Sequence, residues 1–275
     1  MRLFNKVTIV GVGLIGGSLA EGIKKKKLAA KVIGVSRHKE TLLLAQKKSI
    51  IDSGSQDIGI TKDSDLVILA TPINTIIRLG RIIAKIVKDD CIVSDVGSAK
   101  EEIVRELEGI IPGFVGAHPL AGSEKRGIAN ADSRIFKNSL CILTPTPKTN
   151  EKALKKIRQL WGAVGAKVIF LSPNEHDVIL SFVSHMPHIV AYSLMGAVPE
   201  RYLKFAPNSL KDTTRIASSD IQIWQEIFLS NRGNIIKAID GFEKSLRLLK
   251  SAIKIKDEKL ISRILKQAKD KREKI

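Results

Sequence analysis

Three glycines carry the clearest chemical signal in this sequence. In Val7-Thr8-Ile9-Val10-Gly11-Val12-Gly13-Leu14-Ile15-Gly16-Gly17-Ser18, an apolar run passes through a G-x-G-x-x-G turn into a helical pattern. Gly11 permits a tight turn, Gly13 lets the backbone approach a pyrophosphate, and Gly16 lets the helix pack against the strand. The N-terminus of that helix offers free N–H groups and a positive dipole end to phosphates. Alone the motif is weak, but here it follows a strand and opens a helix, which is the context it requires. Gly11, Gly13, Leu14, Ile15 and Gly16 are therefore read as dinucleotide-binding positions.

The end of the second strand should report which dinucleotide. An NAD site usually places Asp or Glu there, on the ribose 2′-hydroxyl. This chain has Gly34-Val35-Ser36-Arg37-His38-Lys39 instead. A carboxylate would repel a 2′-phosphate, whereas Ser36 and Arg37 can bind one. NADP is favoured over NAD on this ground. The alternative is that Arg37 is a solvated loop residue and either cofactor is accepted.

Further polar groups fall where strands end. Ala70-Thr71-Pro72 closes the third strand, and Ser94-Asp95-Val96-Gly97-Ser98 closes the fourth. Ligands of open α/β sheets bind outside the carboxyl ends of strands, so Thr71, Pro72, Asp95 and Gly97 join the cofactor set, with Ser98 beside them. Ser98 also stands where a helix N-cap would. His118 follows the fifth strand, where an imidazole titrating near working pH would suit proton transfer. His185 and His188 lie three apart, hence on one helix face. No cysteine or acid cluster completes a metal site around them, so no metal is expected.

The elements that must hold these groups alternate from residue 1 to about 171. Short β-branched runs occur at Lys6–Val10, Lys31–Val35, Leu66–Ala70, Cys91–Ser94, Gly113–Ala117, Leu140–Thr144 and Lys167–Leu171. Helical periods separate them near 14–27, 39–48, 74–87, 99–107 and 150–164. This predicts an α/β Rossmann-type domain over 1–171, with a mostly parallel sheet covered on both faces. After Ser172-Pro173 the strand signal stops. Helical patterns near 174–196, 199–206, 219–230 and 232–268 predict an all-α domain over 172–275, for substrate binding and dimerisation.

The 275 residues can bury an ordinary core, and 44% hydrophobic with 27% charged content is globular. No apolar run approaches the roughly 20 residues of a membrane span. No secretory pattern is visible, so a cytoplasmic protein without a membrane partner is expected. Cys91 and Cys141 make no disulfide framework and read as buried small hydrophobes. The net charge is +18, much of it in Lys24–Lys27 and the tail from Lys244 to Lys274. In that tail, Leu246, Leu249, Ile253, Leu260, Ile264 and Leu265 space out the lysines as in an amphipathic helix, so a solvated face is preferred to nucleic-acid binding.

Taken together, the motifs resemble the prephenate/arogenate dehydrogenase family of tyrosine biosynthesis, over nearly the whole chain. The resemblance rests on the glycine turn, Asp95-Val96-Gly97-Ser98-Ala99-Lys100, His118-Pro119-Leu120-Ala121-Gly122-Ser123-Glu124, His176-Asp177, Ser184-His185-Met186-Pro187-His188, and Asp212-Thr213-Thr214-Arg215-Ile216-Ala217 with Trp224. It implies oxidative decarboxylation of a cyclohexadienol, prephenate first and arogenate as the alternative, with hydride transfer to NAD(P). It further implies that His118 accepts the ring hydroxyl's hydrogen bond and that Ser98 binds that hydroxyl or His118. Arg215 would pair with a substrate carboxylate, and Glu124 would sit at the pocket mouth. His185, His188, His176 and Trp224 would shape the pocket. Arg126 departs from the family pattern, which often has a smaller residue there. A homodimer sharing the helical domain is also implied. A β-hydroxyacid dehydrogenase or pyrroline-carboxylate reductase, and a non-catalytic NADP- or nucleic-acid-binding protein, are the competing readings.

Overall fold

The computed structural model describes residues 2–122 and 127–274. Glu124 and Arg126 lie outside the described residues.

The first half follows the expected alternation. Strand β1 (Phe4–Val10) leads through the glycine turn to α1 (Leu14–Lys25), followed by β2 (Ala29–Val35), α2 (Lys39–Lys47) and a short β3 (Ser53–Ser55). Then come β4 (Leu66–Leu69), α3 (Ile73–Ile83), β5 (Ile92–Asp95), α4 (Glu101–Leu107) and β6 (Phe114–Val115). These strands form one parallel sheet in the order β3-β2-β1-β4-β5-β6. Strands β4 and β5 are buried at every residue: β4 is an unbroken apolar run, and the polar Ser94 and Asp95 that end β5 are hydrogen-bonded inside. Two cores flank the sheet. Leu19, Ile23, Ile50 and Trp161 belong to one, and Val67, Ile76, Leu107 and Phe114 to the other.

The seven predicted strand runs do not share that sheet. The run at 113–117 divides at Gly116, and β7 (Ala117–Pro119) pairs antiparallel with β8 (Leu140–Leu143). A Cβ at Gly116 would stand 2.4 Å from Thr144 Oγ1 and 2.9 Å from Val104 Cγ2, so a larger residue there would have to displace both side chains. After α5 (Glu151–Ala163), strand β9 (Lys167–Phe170) completes a second, three-stranded sheet in the order β7-β8-β9. Strand β3 has no apolar signature and was not expected.

Beyond residue 172 the described chain is helical. A capping box of Ser172 and Glu175 with Pro173 at the first turn starts α6 (Pro173–Leu180). A π turn, Ser181–His185, passes directly into α7 (Met186–Ala197). This corrects the sequence reading of apolar length. Pro173–Ala197 is one 25-residue helix, long and apolar enough by length and composition to cross a membrane. Its buried His176, Asp177 and His185 nevertheless point into the protein's own interior. Next come a 3-10 turn at Glu200–Phe205, where the helical pattern near 199–206 was expected, and α8 (Asn208–Thr214), which was not expected. They lead to α9 (Ile221–Ser230), α10 (Arg232–Lys254) and α11 (Glu258–Arg272). The expected single helix over 232–268 is broken at 255–257. Lys256 takes a left-handed φ of 53° and Asp257 caps the next helix through Leu260 N. Helix α9 docks on the first domain: Ile227 enters its core, and the Glu226 carboxylate accepts from Asn74 N at 3.1 Å.

Candidate active site

The glycine turn has the shape its sequence requires. Gly11 has φ +100°, and a Cβ there would stand 2.4 Å from the Ala70 carbonyl oxygen. A Cβ on Gly16 would come within 2.1 Å of Gly11 O, which is the close helix–strand packing anticipated above. Gly13 is different, because space is open where its Cβ would project. No side chain caps α1, so its first N–H groups are left for a ligand. Gly13, Leu14 and Ile15 line a cleft of about 750 Å³ at the point where strand order reverses, between β1 and β4. Thr71, Pro72, Gly97 and Ser98 also line it, and Thr71 Oγ1 is buried without a partner. An exposed backbone cradle and an orphaned hydroxyl on the same cleft fit a dinucleotide.

Ser36 and Arg37 lie outside this cleft, on the surface loop beyond β2. Ser36 Oγ accepts from His38 N at 3.2 Å, and the Arg37 carbonyl accepts from Gln56 Nε2 at 2.8 Å. Gly11 N donates to Val35 O at 2.9 Å, which ties this loop to the glycine turn.

Asp95 departs from the expected cofactor role. It is fully buried and ion-paired with the equally buried Lys100. Its remaining lone pairs accept from Gly97 N at 2.7 Å and Ala117 N at 3.2 Å. Fully buried and engaged inside, Asp95 fixes the turn carrying Ser98 and the start of β7, and does not line the cleft. Nor is Ser98 the cap of α4. The carboxylate of Asp177 takes that place, accepting from Lys100 N at 2.8 Å and Glu101 N at 3.0 Å.

His118 projects from β7 into the cleft while remaining almost wholly buried. Behind it, Nδ1 lies 2.8 Å from His176 Nε2, and His176 Nδ1 lies 2.7 Å from Asp177 Oδ1. Burial, reinforced by the neighbouring His176 and Lys100, holds His118 well below the ordinary 6.5. Burial therefore favours the neutral imidazole, the form that can accept a proton. Sequence reasoning assigned His176 only to the pocket shape; the pair with His118 spans 58 residues and has no local signal.

The helical half supplies the opposite wall. His185, His188, Arg215 and Trp224 all line the cleft. His185 is buried, its Nδ1 lies 3.2 Å from Asn231 Nδ2, and burial lowers it to about 4. His188 stacks on Trp224 with ring centroids 3.4 Å apart. Burial lowers its pKa as well, with a contribution from the nearby Arg215 guanidinium. The structure thus brings together a neutral imidazole on a strand end, a hydroxyl, a guanidinium and a dinucleotide cradle. That set can bind an anionic alcohol and remove its hydroxyl proton while a hydride leaves.

Comparison with known proteins agrees with this geometry. Residues 19–170 match the family model "Prephenate dehydrogenase, nucleotide-binding domain", and residues 172–267 match "Prephenate dehydrogenase, dimerization domain". The prephenate dehydrogenase of Bacillus subtilis (strain 168) is 34% identical, over 99% of this chain and 76% of that protein. A crystal structure of prephenate dehydrogenase from A. aeolicus, in complex with hydroxyphenyl propionate and NAD+, superposes with a TM-score of 0.94. It is 39% identical and covers 98% of each chain. Synechocystis arogenate dehydrogenase gives a TM-score of 0.85 at 27% identity, over 98% of this chain and 99% of that one. With its NAD(P)-binding parallel sheet, its helical second half and these matches across both, the chain belongs to the prephenate dehydrogenase family.

Proposed function

We propose that this chain converts prephenate to 4-hydroxyphenylpyruvate and carbon dioxide. The observation that carries the reading is the cleft-facing His118 imidazole, set between the glycine turn and Arg215. When bound, a nicotinamide dinucleotide supplies the hydride acceptor. Neutral His118 accepts the hydroxyl proton as the carbinol carbon becomes a carbonyl carbon. Ser98 holds the same oxygen, and Arg215 pairs with a substrate carboxylate, a task suited to a planar guanidinium. His185, His188 and Trp224 close the apolar side of the pocket and exclude water. Cleavage of the ring carboxylate as carbon dioxide sends its bonding electrons into the ring, the carbonyl oxygen takes the proton back from His118 as the phenol hydroxyl, and aromatisation makes the step effectively irreversible.

NADP is the preferred cofactor in this reading, supported by Ser36 in the place of an acid and by the exposed Arg37 beside it. A homodimer through the helical half is supported by Val183, Phe205, Ile221 and Leu229, each at least 64% exposed. The test is an absorbance assay of prephenate and arogenate, each with NAD and NADP. Fastest turnover with prephenate and NADP is expected. Turnover with arogenate alone would replace the substrate, and none with either would end the reading.

A further inference from the structure

We infer that His176 and Asp177 are positioning residues that set the tautomer of His118, so that its lone pair faces the cleft. The inference rests on the proposed role of His118 and adds what makes that role possible. A neutral imidazole carries one N–H and one lone pair, and only the lone pair can take a proton. Which nitrogen faces the cleft is fixed by what lies behind it.

The chain of donors runs in one direction. Asp177 is an acceptor only, and it already receives Lys100 N and Glu101 N. Facing it at 2.7 Å, His176 Nδ1 must carry the hydrogen. His176 Nε2 is then a lone pair, so His118 Nδ1, 2.8 Å away, must donate. That leaves His118 Nε2 unprotonated and open to the cleft. As His118 gains the substrate's proton, its charge is held by His176 and, beyond it, by the carboxylate. Asp177 also joins the two halves of the site. Its side chain caps α4, and its carbonyl accepts from Asn231 Nδ2 at 2.7 Å.

The same logic gives His185 the opposite form. Asn231 Nδ2 donates to the Asp177 carbonyl and its Oδ1 accepts from Asn234, so Nδ2 also faces His185 Nδ1 as a donor. The hydrogen of His185 is then on Nε2, which is buried without a partner on the cleft wall. One imidazole accepts where the other donates.

The test is nitrogen-15 NMR of histidine-labelled protein at pH 7, without substrate or cofactor. His118 signals are assigned by their loss in His118→Asn. An unprotonated Nε2 and protonated Nδ1 on His118 are expected; a protonated Nε2 would overturn the inference. In Asp177→Asn the oxygen that stays on Glu101 N leaves the amide nitrogen at the Oδ1 position, facing His176 Nδ1 and Lys100 N. Both imidazoles then invert, His118 shows a protonated Nε2, and kcat falls at least about tenfold with cofactor affinity unchanged, the loss of the carboxylate charge lowering kcat in either amide orientation. An unchanged His118 signal together with kcat within about threefold of wild type would overturn the inference. If that variant does not fold, the wild-type spectrum still decides. His176→Gln, which can offer an oxygen to His118 Nδ1, should keep the wild-type tautomer where His176→Leu loses it. Loss in both would count against the relay. Failure of the functional reading would show in the substrate assay, not in these spectra.

Discussion

His188 lies flat on Trp224, with ring centroids 3.4 Å apart and planes 22° apart. The contact joins α7 to α9, and Trp224 continues it to Phe228 at 5.5 Å. An aromatic wall of this kind keeps its shape because each ring limits the rotamers of the next.

Arg215→Ala should act on substrate grip. Loss of a charge-assisted pair at a partly desolvated site costs roughly 1.5–3 kcal/mol, or about ten- to a hundredfold in KM for the anionic substrate. Turnover at saturation should change less than KM does. Wild-type Michaelis constants for both prephenate and arogenate would remove Arg215 from the site.

His118→Asn should leave cofactor binding nearly intact and lower turnover by roughly two to four orders of magnitude, the scale of a lost acid–base group. Cofactor affinity measured by calorimetry separates this from misfolding. Turnover within about threefold of wild type would refute the assignment.

Ser36→Asp with Arg37→Asn should move preference from NADP toward NAD. The expected change in the ratio of specificity constants is at least about tenfold, which needs only about 1.4 kcal/mol. An unchanged ratio would mean that this loop does not read the 2′-phosphate, and a wild type already preferring NAD about tenfold would contradict the NADP reading.

The buried histidines make stability depend on pH in a definite direction. Burial depresses His118, His176, His185 and His188 alike, His185 to about 4. Below an unfolded value near 6.5, the unfolded chain binds protons that the folded chain does not. Stability is then complete above about pH 6.5 and is lost as the pH falls toward the folded values. At pH 5 His185 alone costs about 2 kcal/mol, at about 1.4 kcal/mol per unit. Melting curves at pH 7, 6 and 5 should show Tm falling by at least about 4 °C. A flat profile would contradict the burial of these rings.

Asp95→Asn should destabilise the fold by about 3–5 kcal/mol, because it leaves the Lys100 ammonium buried without its counter-charge. Combining Asp95→Asn with Lys100→Met removes both charges and should recover part of that loss. Denaturant unfolding of the single and double variants gives the comparison.

Much of this molecule was legible in the sequence because the signals were local. The glycine turn, the apolar strands and the capping box at Ser172 each lie within a dozen residues. His118, His185, His188, Arg215 and Trp224 were found through their motifs, and all reach one cleft. What escaped was long-range or degenerate. Asp95 looked like a ligand because it closes a strand, but a lysine five residues on, folded inward, takes its charge. The cap of α4 comes from Asp177, more than seventy residues away, and no local pattern announces it. The break before α11 did have a signal, since Asp257 followed by Glu258 is a helix start inside an apparently continuous period.

The π turn at Ser181–His185 gives the site an angular phase. Nine residues separate His176 from His185, which in an unbroken α-helix is about two and a half turns and would aim them to opposite sides. The one extra residue held in a π turn takes up roughly 100° of that rotation, so both rings can face the same interior. Drawing the same residues into a regular α-helix would swing His185 and His188 away from His118, whereas deleting one residue from 181–184 would remove the π turn and keep that phase. Here the winding of the backbone, rather than the chemical type of its residues, decides whether the two halves of the site meet.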